Sequence, residues 1–338
     1  MTTISNRQQV TAKHQNPTLE YPFDLTIIIV AWNVKELLDE CLAALRRSDD
    51  DLQKEILLVD NGSVDGTAAF VKAEYPEVEI IESPRNLGFI RANNLAYERA
   101  KGEYVLMLNS DAFVSASAIK ETVNFIRSNP HVGAVGARLV GRDGALQPSA
   151  RYFPTPVRFF AASLGLDGKL PFVRPLDDLK WDHKSIRQCD WVVGCYLLAR
   201  ASAIEEAGYF LREDYFMYND DNDLCKRLSA LGYSTYFYPI DVVHLGGANV
   251  KKMHKKTNKG AQVEEHQLES QMIYFRKNHG FGTVVAHYVL LMLLDLILAA
   301  KALVRTCSEE PVLQRVGHAR TVTRILLNTK FGASSGNR

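Results

Sequence analysis

The chain has 338 residues, 46% of them apolar, so it can bury a full core in one large domain or two. Its five cysteines, Cys41, Cys189, Cys195, Cys225 and Cys307, form no C-x-x-C pair, and their odd number suits a reducing compartment better than a disulfide scaffold. The net charge of +1 conceals a division: residues 251–338 carry +8 and residues 1–250 carry −7, which implies either a basic tail that meets an anionic surface or a solvated helical face.

Residues 1–20 are polar and lack the apolar core of a signal peptide, so residues 1–22 are expected to be a disordered lead-in and the start of a cytoplasmic chain. Leu25 to Ala31 is a continuous β-branched run, the pattern of a strand covered on both faces. Asn33 with Glu36 three positions later reads as a capping box that opens a helix over Val34 to Arg47. A second strand, Glu55 to Val59, runs into Asp60-Asn61-Gly62-Ser63 and a helix from Gly66 to Glu74. Val78 to Ile81, Phe89 to Ala100 and Tyr104 to Leu108 add strand, helix and strand. Such β-α units predict an α/β fold with a mostly parallel sheet.

No dinucleotide fingerprint and no P-loop occurs, so a ligand is held another way. Strand ends are where such sheets bind ligands. Asp60 could accept the N3–H of a uracil or thymine ring, with Gly62 permitting close approach, or it belongs to a plain turn. Arg85 and Asn86, ahead of Gly88, suit a phosphate or base, or simply enter a helix. Asn109-Ser110-Asp111 ends the fourth strand as either a turn or a set of hard oxygens fit for Mg²⁺ or Mn²⁺.

Three carboxylates, Asp220, Asp221 and Asp223, fall within four residues. Their repulsion raises a pKa toward the range of a general base, although a helix start accommodates one or two of them. His244 ends a β-branched segment next to Gly246-Gly247.

Together these residues resemble the inverting family 2 glycosyltransferases of GT-A fold, in particular the bacterial rhamnosyltransferase-like branch, from Leu25 to Gly247. The motifs that carry the resemblance are Ala31-Trp32-Asn33, Val59 to Thr67, Pro84 to Phe89 with Asn93-Asn94, Asn109-Ser110-Asp111, and the cluster at 220–223. The resemblance implies a Rossmann-like, mostly parallel central sheet with flanking helices and a C-terminal helical extension. It also implies nucleotide-sugar contacts at Ala31, Asn33, Asp60, Gly62, Arg85, Asn86, Gly88, Asn93, Asn109, Ser110 and Asp111. Asp111 and His244 would hold Mg²⁺ or Mn²⁺, and Asp221 would be the catalytic base beside Asp220. Trp191, Gly194 and Asp223 would meet the acceptor. Asn replaces Asp at 109, and Asp replaces Glu at 220, which shortens that arm by one methylene.

In the tail, Thr283 to Arg305 is long enough for a helix of about 35 Å. His287, Asp295, Lys301 and Arg305 interrupt it, favouring a helix lying in a membrane interface, with a core helix as the alternative. The run Lys251 to Lys256 suits anionic headgroups or a lipid diphosphate, or is a mobile basic loop. The expected organisation is a catalytic domain over 23–250 and a membrane-associating region over 251–338. The expected activity is transfer of a sugar, rhamnose favoured, from a dTDP- or UDP-sugar to a cell-envelope glycan or polyprenyl-linked saccharide at the inner face of the cell membrane. Two alternatives stand beside it: a soluble transferase acting on a protein or small molecule, and a catalytically silent binding subunit. Nucleic acid is not an expected partner, because the basic tail lacks interleaved aromatics. A homo-oligomer stays open.

Overall fold

The structure, a computed structural model, describes residues 21–48, 51–166, 169–170, 173–177, 180–246, 259–306 and 310–335. The expected lead-in at 1–20, the basic run at 251–256, Gly247 and Cys307 lie outside those residues.

The first half alternates β1 (Phe23–Ala31), α1 (Lys35–Arg46), β2 (Lys54–Asp60), α2 (Thr67–Glu74), β3 (Val78–Glu82), α3 (Phe89–Tyr97) and β4 (Gly102–Asn109). There follow β5 (Ala112–Val114), α4 (Ala118–Ser128), β6 (Val132–Val140), β7 (Leu146–Gln147), β8 (Ala150–Arg151) and α5 (Pro156–Ser163). Next come β9 (Arg187–Cys189), β10 (Trp191–Val192), β11 (Tyr196–Arg200), α6 (Ala201–Glu206), α7 (Asp220–Ala230) and β12 (Ser234–His244). The helices α8 (Lys259–His279), α9 (Phe281–Thr306) and α10 (Glu310–Asn328) complete the described chain.

The main sheet runs β3-β2-β1-β4-β11-β6-β12-β5. The expected parallel pairing holds for β3-β2-β1-β4 and for β6 with β12, whereas β11 is inserted antiparallel to both β4 and β6. The sheet is therefore mixed. Strand alternation splits the core into two layers. Leu25, Ile27 and Ile29 with Tyr104, Leu106 and Leu108 pack on α1, α2 and α4, while Ile28, Val105 and Met107 face the layer of α3, α6, α7 and α8. Both faces are covered, which is why these strands read as unbroken apolar runs.

The expected capping box at Asn33 does not form. Val34 is the N-cap of α1 and makes no side-chain cap bond; instead Asp65, from the loop after β2, accepts the Lys35 N–H at 3.1 Å. Asn33 is left-handed (φ 55°) and clamps that same loop. Its N–H donates to Ser63 Oγ at 3.0 Å and its Oδ1 accepts from the Val64 N–H at 2.8 Å.

The boundary expected at residue 250 does not separate two cores. Met272, Ile273, Tyr274 and Phe275 of α8 are fully buried in the same layer as α7, so α8 shares the core of the preceding sheet and helices. The ionisable residues that interrupt α9 are divided between its buried and exposed sides. His287 is buried against Phe275, and Asp295 is buried with His318 Nδ1 at 2.7 Å and Arg315 at 3.7 Å. Val289, Leu293, Leu296, Leu303 and Val304 are exposed instead. Lys301 is exposed, as expected of that face, and the side chain of Arg305 is not among those described.

Candidate active site

The polar residues singled out in the sequence collect at the C-terminal ends of the parallel strands. Ala31 pairs with Asp60, and Val30 with Asn109, so the ends of β1, β2 and β4 stand level. The β5–β12 pairing sets His244 opposite Ala112, the neighbour of Asp111.

Around β2 and β3 the chain builds two interlocked loops. Asp60 is buried and accepts the Ser63 N–H at 3.0 Å, which ties back the loop that follows it. Gly62 has φ +80°, and a Cβ there would lie 2.7 Å from the Arg85 carbonyl carbon; the close approach it allows is to the neighbouring loop. Asn61, which motif reading passes over, joins the two loops. Its Oδ1 accepts the Leu87 N–H at 2.8 Å and its Nδ2 donates to Asn86 Oδ1 at 3.0 Å. Asn86 Oδ1 also accepts the Gly88 N–H at 2.8 Å. Arg85 and Asn86 are exposed at the rim. Two expected contacts turn elsewhere: the Ala31 side chain is fully buried, and Asn93 is buried with its amide donating to the Phe89 carbonyl of its own helix.

At the end of β4, Ser110 and Asp111 are buried at the floor of the site. Asn109 Oδ1 is buried and has no hydrogen-bond partner among the described residues. An acceptor atom left so costs stability unless a ligand donates to it. Asp111 Oδ1 stands 3.6 Å from His244 Nε2. Burial holds the imidazole below its usual pKa, against the pull of Asp111, so the neutral ring presents a lone pair. Two donor atoms at this spacing suit a shared divalent cation with bonds of about 2.1 Å. No third His, Cys, Asp or Glu among the described residues joins them, and the remaining positions would fall to substrate and water.

The acidic cluster opens α7. Tyr218 and Asn219 both take left-handed conformations, φ 68° and 62°, turning the chain sharply so that Asp220 and Asp221 start the helix. Paired non-glycine residues in this region are costly and mark a site held by its surroundings. The three carboxylates then diverge. Asp223 is completely buried, accepting from Arg212 Nε, Tyr215 OH and Asn278 Nδ2 on Oδ1 and from Arg227 Nε on Oδ2, at 2.9–3.2 Å. It cannot meet an acceptor. It is the knot between α7 and α8, which corrects the acceptor contact expected for it.

Asp221 is half-buried and oriented by the backbone. Its Oδ2 accepts the Gly194 N–H at 3.0 Å, and its Oδ1 accepts the Asn222 N–H at 2.8 Å. A Cβ at 194 would meet Met107 Cε at 2.6 Å and Asp221 Cβ at 3.4 Å. Gly194 therefore serves the carboxylate itself, in place of the acceptor contact expected for it. Burial and then the adjacent Asp221 push Asp220 up to about 8. Burial raises Asp221 too, but its two N–H donors and Arg151 pull the other way. The two titrate as a coupled pair: burial favours the protonated form of Asp220, and the N–H donors to Asp221 favour its charged form.

Arg151 stacks over the Trp191 ring at 5.3 Å and pairs with Asp177 at 2.9 Å, while Trp191 Nε1 donates to the Tyr152 carbonyl at 3.0 Å. The Trp191 ring is half-buried, with one face committed to that guanidinium. The buried thiols Cys41 and Cys195 flank Asp111, and burial raises both far above the usual range, so neither serves as a nucleophile.

Residues 26–175 match the model of glycosyl transferase family 2. The chain is 29% identical over 238 residues to the N-acetylglucosaminyl-diphospho-decaprenol L-rhamnosyltransferase of Mycobacterium tuberculosis, a match covering 65% of this chain and 75% of that one. It is 29% identical over 169 residues to the poly(ribitol-phosphate) beta-glucosyltransferase of Bacillus spizizenii, covering 44% of this chain and 26% of that one. Among solved structures, GalNAc-T7 with UDP, GalNAc and Mn²⁺ superposes with a TM-score of 0.52 at 15% identity, over 66% of this chain and 43% of that one. This last likeness is one of fold.

Proposed function

We propose that the chain, whose residues 26–175 match glycosyl transferase family 2 and whose fold is that of the GT-A enzymes, is a nucleotide-sugar transferase that moves rhamnose from a dTDP- or UDP-sugar to a lipid-linked saccharide of the cell envelope, with inversion. The observation that carries the reading is the Asp220–Asp221 pair at the start of α7, with the Asp221 carboxylate aimed by the Gly194 N–H. The acceptor hydroxyl gives its proton to Asp221 as its oxygen bonds to the anomeric carbon. The bond from that carbon to the diphosphate breaks on the opposite face, and the nucleoside diphosphate departs with the electron pair. A Mg²⁺ or Mn²⁺ held by Asp111 and His244, when bound, would offset charge on the diphosphate.

Asp60 and the loops locked by Asn61 and Gly62 form the nucleotide cradle, with Arg85 and Asn86 at its rim. Asn109 Oδ1 awaits a donor-substrate hydroxyl. Trp191 offers its free side to the acceptor sugar. The choice of rhamnose and of an N-acetylglucosaminyl-diphospho-polyprenol acceptor is supported by the mycobacterial relative.

The catalytic unit is residues 23–250 together with α8, and the hairpin of α9 and α10 carries it to the inner membrane surface. What supports this is that Phe281–Val304 is long and apolar enough to cross a membrane and is for the most part not buried. Its ionisable residues His287 and Asp295 face inward, while Leu293, Leu296 and Leu303 are exposed. Soluble helices do the reverse.

The test is to incubate the full chain with dTDP- and UDP-sugars and a short-chain polyprenyl-diphospho-N-acetylglucosamine, with Mn²⁺, Mg²⁺ or chelator. Transfer with an inverted anomeric centre, lost on chelation, is the expected result. Absence of transfer from every donor, or retention of configuration, would refute the reading.

A further inference from the structure

The motif survey leaves Gln147 with no role, yet the structure commits both ends of its amide to one residue. Gln147 Nε2 donates to the backbone carbonyl of His244 at 2.7 Å, and Gln147 Oε1 lies 2.9 Å from His244 Nδ1. The two residues straddle the end of β6: Leu139 pairs with Gln147 on one side and with Val242 on the other. A carbonyl oxygen can only accept. The amide NH₂ is therefore fixed on the His244 carbonyl, and Oε1 is what remains to face the ring. An amide oxygen also only accepts, so His244 Nδ1 must carry the hydrogen. In a neutral imidazole the other nitrogen then holds the lone pair, and that nitrogen, Nε2, is the one 3.6 Å from Asp111 Oδ1.

We infer that Gln147 is a positioning residue that locks His244 in the Nδ1–H tautomer and so keeps its Nε2 lone pair turned toward Asp111 as a ligand for a divalent cation. Without the lock, the favoured arrangement would invert. Nε2–H would donate to the Asp111 carboxylate, occupying both groups with each other. Gln147 thus removes a competing hydrogen bond as well as orienting the ring.

The inference rests on the reading of Asp111 and His244 as the cation site, and its test separates the two. The metal-free protein, labelled with ¹⁵N-histidine and assigned by difference from His244→Gln, reports the tautomer of His244 directly. The wild type is expected to show a protonated Nδ1 and a bare Nε2. Gln147→Met keeps the length and removes both hydrogen bonds. It is expected to show the Nε2–H form and to bind Mn²⁺, titrated with UDP present and followed by electron paramagnetic resonance, about 10–100-fold more weakly, as outer-shell partners of histidine ligands do. Its melting temperature checks that the fold survives. Nε2–H in the wild type, or Gln147→Met with an unchanged tautomer or unchanged Mn²⁺ affinity, would overturn the inference. Should the wild type bind no Mn²⁺, the cation reading falls, and the ¹⁵N signal still decides whether Gln147 sets the tautomer.

Discussion

The Gly194 N–H points at Asp221 Oδ2 across 3.0 Å, joining the loop between β10 and β11 to the first turn of α7. This bond aims the carboxylate and favours its ionised form, while burial and then the neighbouring Asp221 push Asp220, one residue earlier, upward.

Asp221→Asn removes the base but keeps the shape of the side chain. Turnover is expected to fall about 10²–10⁴-fold, with donor affinity by calorimetry near that of the wild type. Gly194→Ala drives a methyl into Met107 Cε and against Asp221, so it lowers kcat more than it changes donor KM.

Asp220 makes stability depend on pH. Its folded pKa, about 8, lies above the ordinary carboxylate value, so folding favours the protonated form. That contribution is complete below about pH 4 and is lost as pH rises through about 8. Urea midpoints measured between about pH 5 and about pH 9 should fall in the wild type, and Asp220→Asn should flatten the decline.

Asp223→Ala removes the fully buried carboxylate that pairs with two partly buried guanidiniums, Arg212 and Arg227. A loss of about 3–5 kcal/mol is expected, as for other broken buried pairs. Chemical denaturation measures it, and α8 should become more open to proteolysis because Asn278 loses its partner as well.

Gly62→Ala places a side chain where φ is +80° and the Arg85 backbone is 2.7 Å away. The strain of about 1–3 kcal/mol falls on the nucleotide cradle. UDP or dTDP affinity by calorimetry should weaken, with little effect on the affinity of the acceptor.

Leu293→Asp with Leu296→Asp changes only exposed positions of α9. The folded protein should stop sedimenting with phosphatidylglycerol vesicles while it still uses a water-soluble acceptor. Sedimentation equal to that of the wild type would refute membrane docking through this face.

The order of strands and helices through β4 was legible in the sequence, since period and β-branching mark elements buried on two faces. So was the identity of the polar residues at the strand ends. Asp60, Asp111, Asp221 and His244 all lie where strand termini and a helix start had to bring them. The antiparallel insertion of β11 was not legible, because a short buried run carries no mark of its direction. In the tail, the sequence showed only that His287, Asp295, Lys301 and Arg305 interrupt an apolar helix; contact with Phe275, His318 and Arg315 decides that His287 and Asp295 face inward.

What the sequence determined by itself was the chemistry available: carboxylates, a histidine and glycines in order along an α/β chain. Only the tertiary structure assigned each group its task, because tasks depend on partners far away in the chain. Three aspartates within four residues are equivalent on paper. In the fold, Asp223 meets two arginines, Asp221 meets the Gly194 N–H, and Asp220 is buried beside a charge. Burial and hydrogen bonding, which are long-range properties, separate their protonation states and therefore their roles.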